Sequence, residues 1–264
     1  FAGTGLGPRA HPLYLTVMET DEPGGHWADR AATRALDRAM DADAALNLDE
    51  RVRRLRSIAA ENKADHPLMA AGALNRIGDL YYAADQWRPA KNAFREVLDA
   101  FPNPTPRTAA ARLSLAEILY REERFSQALS LYETEIDARP YADDIYRLAR
   151  NGYIRKSAAA GEYLFRLGEI PSARSKFKEL IDYDPDIVPA HRGYIRCAAA
   201  MGDIREVLSD CRSRLAGEPN DPVAIYATAL ALTYLDENAA LLESRELLLK
   251  AIALDGRIPY FHQT

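Results

Sequence analysis

Five segments of this chain end alike and keep one internal spacing, and that regularity limits the fold more than any other feature. They are AFREVLDAFP, SLYETEIDARP, KFKELIDYDP, DCRSRLAGEP and LLLKAIALDG, ending at Pro102, Pro140, Pro185, Pro219 and Gly256. The ends lie 38, 45, 34 and 37 residues apart. Inside each unit the distances hold. Phe94, Tyr132, Phe177, Cys211 and Leu248 stand eight residues before the end, and Ala90, Ala128, Ala173, Val207 and Ser244 four residues earlier. Twelve residues before the first four of those stand Gly78, Ala116, Gly161 and Ile195. A fixed interior with variable junctions suits a repeated pair of helices, which must meet at one close contact while their loops vary.

The contact can be read from the residues. Leu74, Ile77, Gly78 and Tyr81 fall at i, i+3, i+4 and i+7, one face of a helix, and Ala90, Phe94, Val97 and Leu98 make the same stripe on the next. Gly78 and Ala90 are small where the stripes face each other, so the backbones approach while larger side chains fill the space around them. A proline after the second stripe cannot continue the helix. Thr105-Pro106 and Asp221-Pro222 read as a capping residue followed by proline at the first helical position.

The run Leu74-x2-Ile77-Gly78-x2-Tyr81…Ala90-x3-Phe94…Pro102 resembles the tetratricopeptide-repeat family, whose unit is a 34-residue helix pair. Ala160-Gly161-x2-Leu164…Ala173-x3-Phe177…Pro185 and Leu115-Ala116-x2-Leu119…Ala128-x3-Tyr132…Pro140 follow the same pattern. The fourth unit departs from it, with Ile195 and Val207 in the small positions and Cys211 in the aromatic one. The fifth needs about three extra residues, 236–238, in its internal turn, and the usual tryptophan is absent throughout. The resemblance covers residues 68–256 and implies an all-α fold, an α-solenoid of stacked antiparallel helix pairs. The units divide as 68–104, 105–140, 141–186, 187–220 and 221–256.

Outside the repeats, residues 1–25 are rich in Gly and Pro and read as an extended or disordered arm, with 14–18 as a short strand or a segment packed on a neighbour. Residues 26–67 read as a degenerate helix pair that caps the array, with Leu36, Ala39, Met40 and Leu46 on the apolar face of the first helix and Val52, Leu55, Ile58 and Ala59 on that of the second. The long third interval reads as one helix that starts about three turns early, with a break at Asn151-Gly152 as the alternative. Residues 257–264 begin a following segment; the last pair would otherwise leave an apolar side bare, so the native chain is expected to continue or to self-associate through that end.

Little in the chain points to chemistry. Its 264 residues are 48% hydrophobic and 28% charged, enough apolar material for a core, and a net charge of −5 argues against a nucleic-acid partner bound through phosphates. No apolar run approaches the ~20 residues of a membrane-inserted helix. His11, His26, His66, His191 and His262 show no metal-ligand spacing, and Gly3, Gly5 and Gly7 lack the context of a phosphate loop, so no metal and no cofactor is expected. His191 is expected to be a packed or rim histidine. Cys197 and Cys211 lie on the two helices of one unit but about 9 Å out of level, and are expected to be free and mostly buried thiols. Arg51, Arg53, Arg54 and Arg56 read as a solvated helix face.

The resemblance implies a non-catalytic scaffold, not an enzyme, holding a protein or peptide partner in the groove lined by the first helix of each pair. The groove positions are Asn75, Asp79 and Tyr82, then Leu113, Glu117, Tyr120 and Arg121. Arg155, Glu162, Phe165 and Arg166 follow, with Arg192 and Arg196 in the fourth unit and Tyr226 and Tyr234 in the fifth. Asp79/Tyr82, Glu117/Tyr120 and Glu162/Phe165 repeat an acid followed by an aromatic. Those aromatics either form a ladder in the groove or pack sideways between units. Members that bind chaperone tails clamp a terminal carboxylate with Lys and Asn; the acids here disfavour an acidic C-terminal peptide. The FPNP junction is similar to that of bacterial envelope members, which implies a bacterial periplasm or envelope rather than the cytoplasm, in an outer-membrane or secretion assembly. The alternative is a regulatory or docking arm of a larger enzyme or transporter.

Overall fold

The computed structural model describes residues 14, 16–18, 26–40, 46–138, 144–235 and 237–256, and every regular element among them is a helix. The fold is all-α, of the α-solenoid class. α1 (His26–Met40) and α2 (Leu48–Asn62) both pack on α3 (Pro67–Ala83), which pairs with α4 (Trp87–Ala100), and α5 (Pro106–Arg121) pairs with α6 (Phe125–Ala138). α7 (Asp144–Arg166) pairs with α8 (Ile170–Tyr183), α9 (Val188–Met201) with α10 (Ile204–Gly217), and α11 (Pro222–Thr233) with α12 (Asn238–Leu254).

Local chemistry sets the helix starts. The Asn47 side chain accepts from the Glu50 N–H while Glu50 accepts from the Asn47 N–H, at 3.0 and 2.9 Å, which satisfies donors that the first turn leaves free. Thr105 and Thr108 make the same reciprocal pair ahead of α5, with Pro106 at its first position. Asp221 accepts from Val223 N–H at 2.9 Å ahead of α11. The wandering period has a location. α4, α6, α8 and α10 each have 14 residues. Their partners α3, α5, α7, α9 run to 17, 16, 23 and 14. The longest interval is therefore absorbed by one continuous helix, α7. In the fifth pair the extra residues lengthen α12 to 17 residues from Asn238, so Asn238 opens the helix instead of sitting in the turn; Asp236 lies outside the described residues.

Contacts divide the chain into two compact units, Phe1–Tyr153 and Ile154–Thr264, with the division inside α7. In the first unit α3 is surrounded by α1, α2, α4 and α5, and residues 68–75, 77 and 78 are buried. The Phe94 ring requires glycine at position 78: a Cβ there would stand 2.4 Å from it. Gly152 is the same device and not a helix break, since a Cβ there would stand 2.5 Å from the Tyr132 ring. The buried face of α1 is mostly alanine, Ala28, Ala31, Ala32 and Ala35 with Leu36, and Leu46 falls beyond its end. Of the expected arm, Tyr14 and 16–18 are helical, which overturns the strand reading; Tyr14 and Met18 lie against the core. The other residues of 1–25 lie outside the described residues, as do 139–143 and 257–264.

In the second unit the Phe177 ring is held between two glycines. A Cβ at Gly161 would stand 2.7 Å from it and one at Gly193 only 2.3 Å. The fourth pair is built differently. Ile195 and Val207 are too large for a close crossing, and α9 lies closer to α8 than to its own partner α10. α11 is covered by α9, α10 and α12, and residues 223–232 are all buried.

Candidate functional site

On the first helices of the first unit, part of the expected groove is occupied by the chain itself. Arg107, in the first turn of α5, crosses Gly72 of α3 to reach α1. Its Nη2 donates to the Asp29 carbonyl at 3.0 Å and to the Thr33 hydroxyl, and its Nε stands 2.7 Å from an Asp29 carboxylate oxygen. Arg76 pairs with Asp37 one turn further along α1. Asn75 is buried beneath this strap and donates to the Arg107 carbonyl at 2.8 Å, so it is a structural tie between α3 and α5 and not a groove residue. A polar side chain of that size in a helix enclosed by four others must use its donor internally.

The open part of this face lies at the C-terminal ends of α3 and α5. The Tyr82 ring meets the Trp87 ring edge-on, with centroids 4.9 Å apart, across the turn into α4. Tyr120 meets Phe125 across the next such turn, with centroids 5.0 Å apart and the rings tilted by 56°. In the first unit this is a third arrangement beside the ladder and the sideways packing: Tyr82 and Tyr120 each pack on the opening residue of their own second helix and stay half-buried. Arg121 lies 5.3 Å from the centroids of both Tyr82 and Trp87, and its Nε stands 3.5 Å from Glu117. Asp79 is exposed; the surrounding protein pushes its carboxyl up, while Arg76 pulls it down.

In the second unit the arrangement recurs. The Arg196 guanidinium lies 4.1 Å from the Phe165 centroid and pairs with Glu162. Arg174 lies 5.1 Å from the Tyr194 centroid and pairs with Asp203 at 2.6 Å. Arg155 and Arg166 are exposed and Arg192 half-buried, so this face is predominantly basic. Tyr226 is not part of it: at 1% exposure it is among the largest fully buried side chains, because α11 is enclosed on every side. Tyr234, at the end of that helix, is exposed.

His191 is packed, as expected. Its Nε2 is 2.8 Å from the Pro185 carbonyl and 3.1 Å from Arg214, and burial holds its pKa below the ordinary value. Cys197 and Cys211 are free; Cys197 is buried and Cys211 half-buried. The arginines at 51, 53, 54 and 56 are exposed, with Arg56 pairing Glu96 at 3.1 Å. Arg107, Trp87 and Phe125 escaped the sequence reading. Two signals were available: aromatics five residues apart at two internal turns, Tyr82/Trp87 and Tyr120/Phe125, and Asp29, Thr33 and Asp37 spaced by four on an otherwise alanine-rich helix.

Residues 75–143 match the family model described as Tetratricopeptide repeat. That match covers most of α3 and all of α4, α5 and α6, with the close approach of Phe94 to Gly78 among them. Over residues 75–143 the chain carries tetratricopeptide repeats. A curated relative, Protein CTR9 homolog of Arabidopsis thaliana, is 30% identical over 113 residues, 43% of this chain; the matched segment spans 9% of that relative's length. Among solved structures the chain is similar to YrrB, a TPR protein with an unusual peptide-binding site, at 16% identity over 79% of this chain and 96% of that one, with a TM-score of 0.37. It is also similar to TTC0263, a thermophilic TPR protein of Thermus thermophilus, at 20% identity over 74% and 96%, TM-score 0.35. A third is the TPR2AB domain of yeast Sti1 in complex with pHSP90, at 14% identity over 90% and 95%, TM-score 0.35. Among the described residues no helix of these repeats is long and apolar enough to cross a membrane, and no group of three or more His, Cys, Asp or Glu is placed to hold a metal.

Proposed function

We propose that this tetratricopeptide-repeat chain is a non-catalytic scaffold that holds a peptide or protein partner on the ends of its first helices. The contact residues are Asp79, Tyr82, Glu117, Tyr120 and Arg121 in the first unit. In the second they are Arg155, Glu162, Phe165, Arg166, Arg192 and Arg196. The observation that carries this reading is the arginine laid on a half-buried aromatic in each unit, Arg121 on Tyr82 and Trp87 and Arg196 on Phe165. Such stacks are held in place by their neighbours, so a partner meets rigid apolar and cationic surface at a small entropy cost. In the second unit the excess of arginine favours a partner segment carrying carboxylates.

The test is site-specific photo-crosslinking. A benzophenone side chain replaces Arg121 or Arg166 in one set of variants, and Glu133 or Glu179 on second helices in another. A partner that crosslinks from the first set and not from the second supports the assignment. Equal capture from both sets, or capture only from Glu133 and Glu179, refutes it.

A further inference from the structure

The fourth helix pair leaves a space beside Cys211 that its own side chains do not fill. Phe177 stands sixteen residues after Gly161 and sixteen before Gly193, and its ring fills the gap between the helices that carry them. Cys211 stands in the same relation to Ile195 and Ala227 but carries no ring. Ile195, fully buried, takes the inner part of the room. The outer part is a half-open pocket of about 380 Å³ between α8, α9, α10 and α11, walled by Cys211, Val207, Tyr194 and Ala227, with His191 among its polar lining residues. An apolar cavity of ~150 Å³ accepts benzene, so this one has room for a bicyclic ring.

We propose that this cavity is a socket for a tryptophan or tyrosine side chain supplied by a partner protein. The chain itself shows what suits such a space: Phe94, Tyr132 and Phe177 each lie against a small residue of a neighbouring first helix. The rim selects among rings. Lys178 is paired with Asp182, and Arg214 is held by Asp221 at 2.5 Å and by the Pro185 carbonyl at 2.9 Å. Asp210 is exposed and has no ion pair among the described residues. One carboxylate in search of a donor favours an indole N–H or a phenol O–H and disfavours an anionic ligand. Burial raises the Cys211 thiol to about 11, which keeps that wall neutral. A lone ring of about nine heavy atoms gains too little to bind tightly, so the occupant is a side chain whose own protein adds contacts along α8 and α10. The socket shares no residue with the face proposed above, and either can fail without the other.

The test uses the full 264-residue chain, with N-acetyltryptophanamide as the probe and N-acetylleucinamide as the control. Methyl NMR follows Val207, Ala227 and Ile181. The tryptophan probe is expected to shift these methyls saturably, at least tenfold more tightly than the leucine probe. Cys211→Phe fills the socket from one wall and is expected to abolish the saturable shift while raising the melting temperature. Ala227→Leu blocks it from the opposite wall and serves if Cys211→Phe does not fold. The proposal is overturned if wild-type methyls show no saturable shift, if leucine binds as well as tryptophan, or if binding survives a folded blocking variant.

Discussion

Replacing Gly193 with alanine sets two effects of opposite sign against each other. Alanine is favoured over glycine inside a helix by about 1 kcal/mol, so propensity alone forecasts a more stable protein. The new methyl, however, would stand 2.3 Å from the Phe177 ring, where an ordinary carbon contact needs ~3.5–4.0 Å. The ring has little room to retreat: Phe177 is 1% exposed, and a methyl at Gly161 on its other side would stand at 2.7 Å. Overpacking of this kind costs about 1–3 kcal/mol, and an overlap of more than ~1 Å against a pinned ring belongs at the upper end. The expected balance is a loss of about 1–2 kcal/mol, or roughly 2–4 °C of melting temperature per kcal/mol in a chain of this size. The assay is urea and thermal denaturation followed by far-ultraviolet circular dichroism. Amide exchange in α8 and α9 shows whether the second unit takes the loss, since stacked helix pairs can melt in parts. Phe177→Leu closes the cycle. With the ring gone, Gly193→Ala should become neutral or stabilising, a coupling of about 1–3 kcal/mol. A stabilising single substitution, or a coupling near zero, would refute the idea that the ring dictates both glycines.

His191 should make stability depend on pH. Burial lowers its folded pKa, so as pH falls through the ordinary histidine value near ~6.5 the unfolded chain takes up a proton that the folded chain resists. Stability is therefore present above that value and declines below it, until the folded histidine is protonated too. The urea midpoint should fall from pH 7.5 to 5.5, and the fall should be smaller in His191→Gln. Glu135, at 2% exposure, pairs with Arg112. Glu135→Ala should cost about 3–5 kcal/mol by stranding the arginine, whereas Arg112→Met with Glu135→Leu should cost far less; equal losses in urea titrations would contradict this. Cys211, at about 11, is thiolate in about one part in a thousand at pH 8. Iodoacetamide labelling read by mass spectrometry should be slow in the folded chain and fast in urea, with no 197–211 disulfide found at any stage. Tyr120→Ala and Phe165→Ala are poor probes of binding, because Tyr120 packs on Phe125 and Phe165 lies beneath Arg196. Arg121→Ala is cleaner, removing an exposed cation from two rings at about 0.5–1 kcal/mol, visible as a small melting shift and a change in Trp87 emission.

Features that depend on one helix or one crossing can be read from the order of residues. Helical stripes, capping residues, prolines at helix starts and the recurrence of small residues twelve apart are local, so Gly78, Ala90 and Phe94 mark the pairing, while the 45-residue interval left open whether α7 is one helix or two. The separation of the two cysteines was legible for the same reason, since a regular helix converts residue number into distance. Which side of a first helix meets water is set by how the helices pack together. Periodicity reports a helix's apolar face, but the fate of the opposite face depends on how many neighbours surround it. α11 has three and buries Tyr226; α3 has four and buries Asn75. The Arg107 strap over Gly72, the rings folded onto their own turns, the double glycine seat of Phe177 and the open room beside Cys211 all join residues from three or more helices. A one-dimensional pattern carries no signal for such meetings, because they are fixed by where whole helices come to rest.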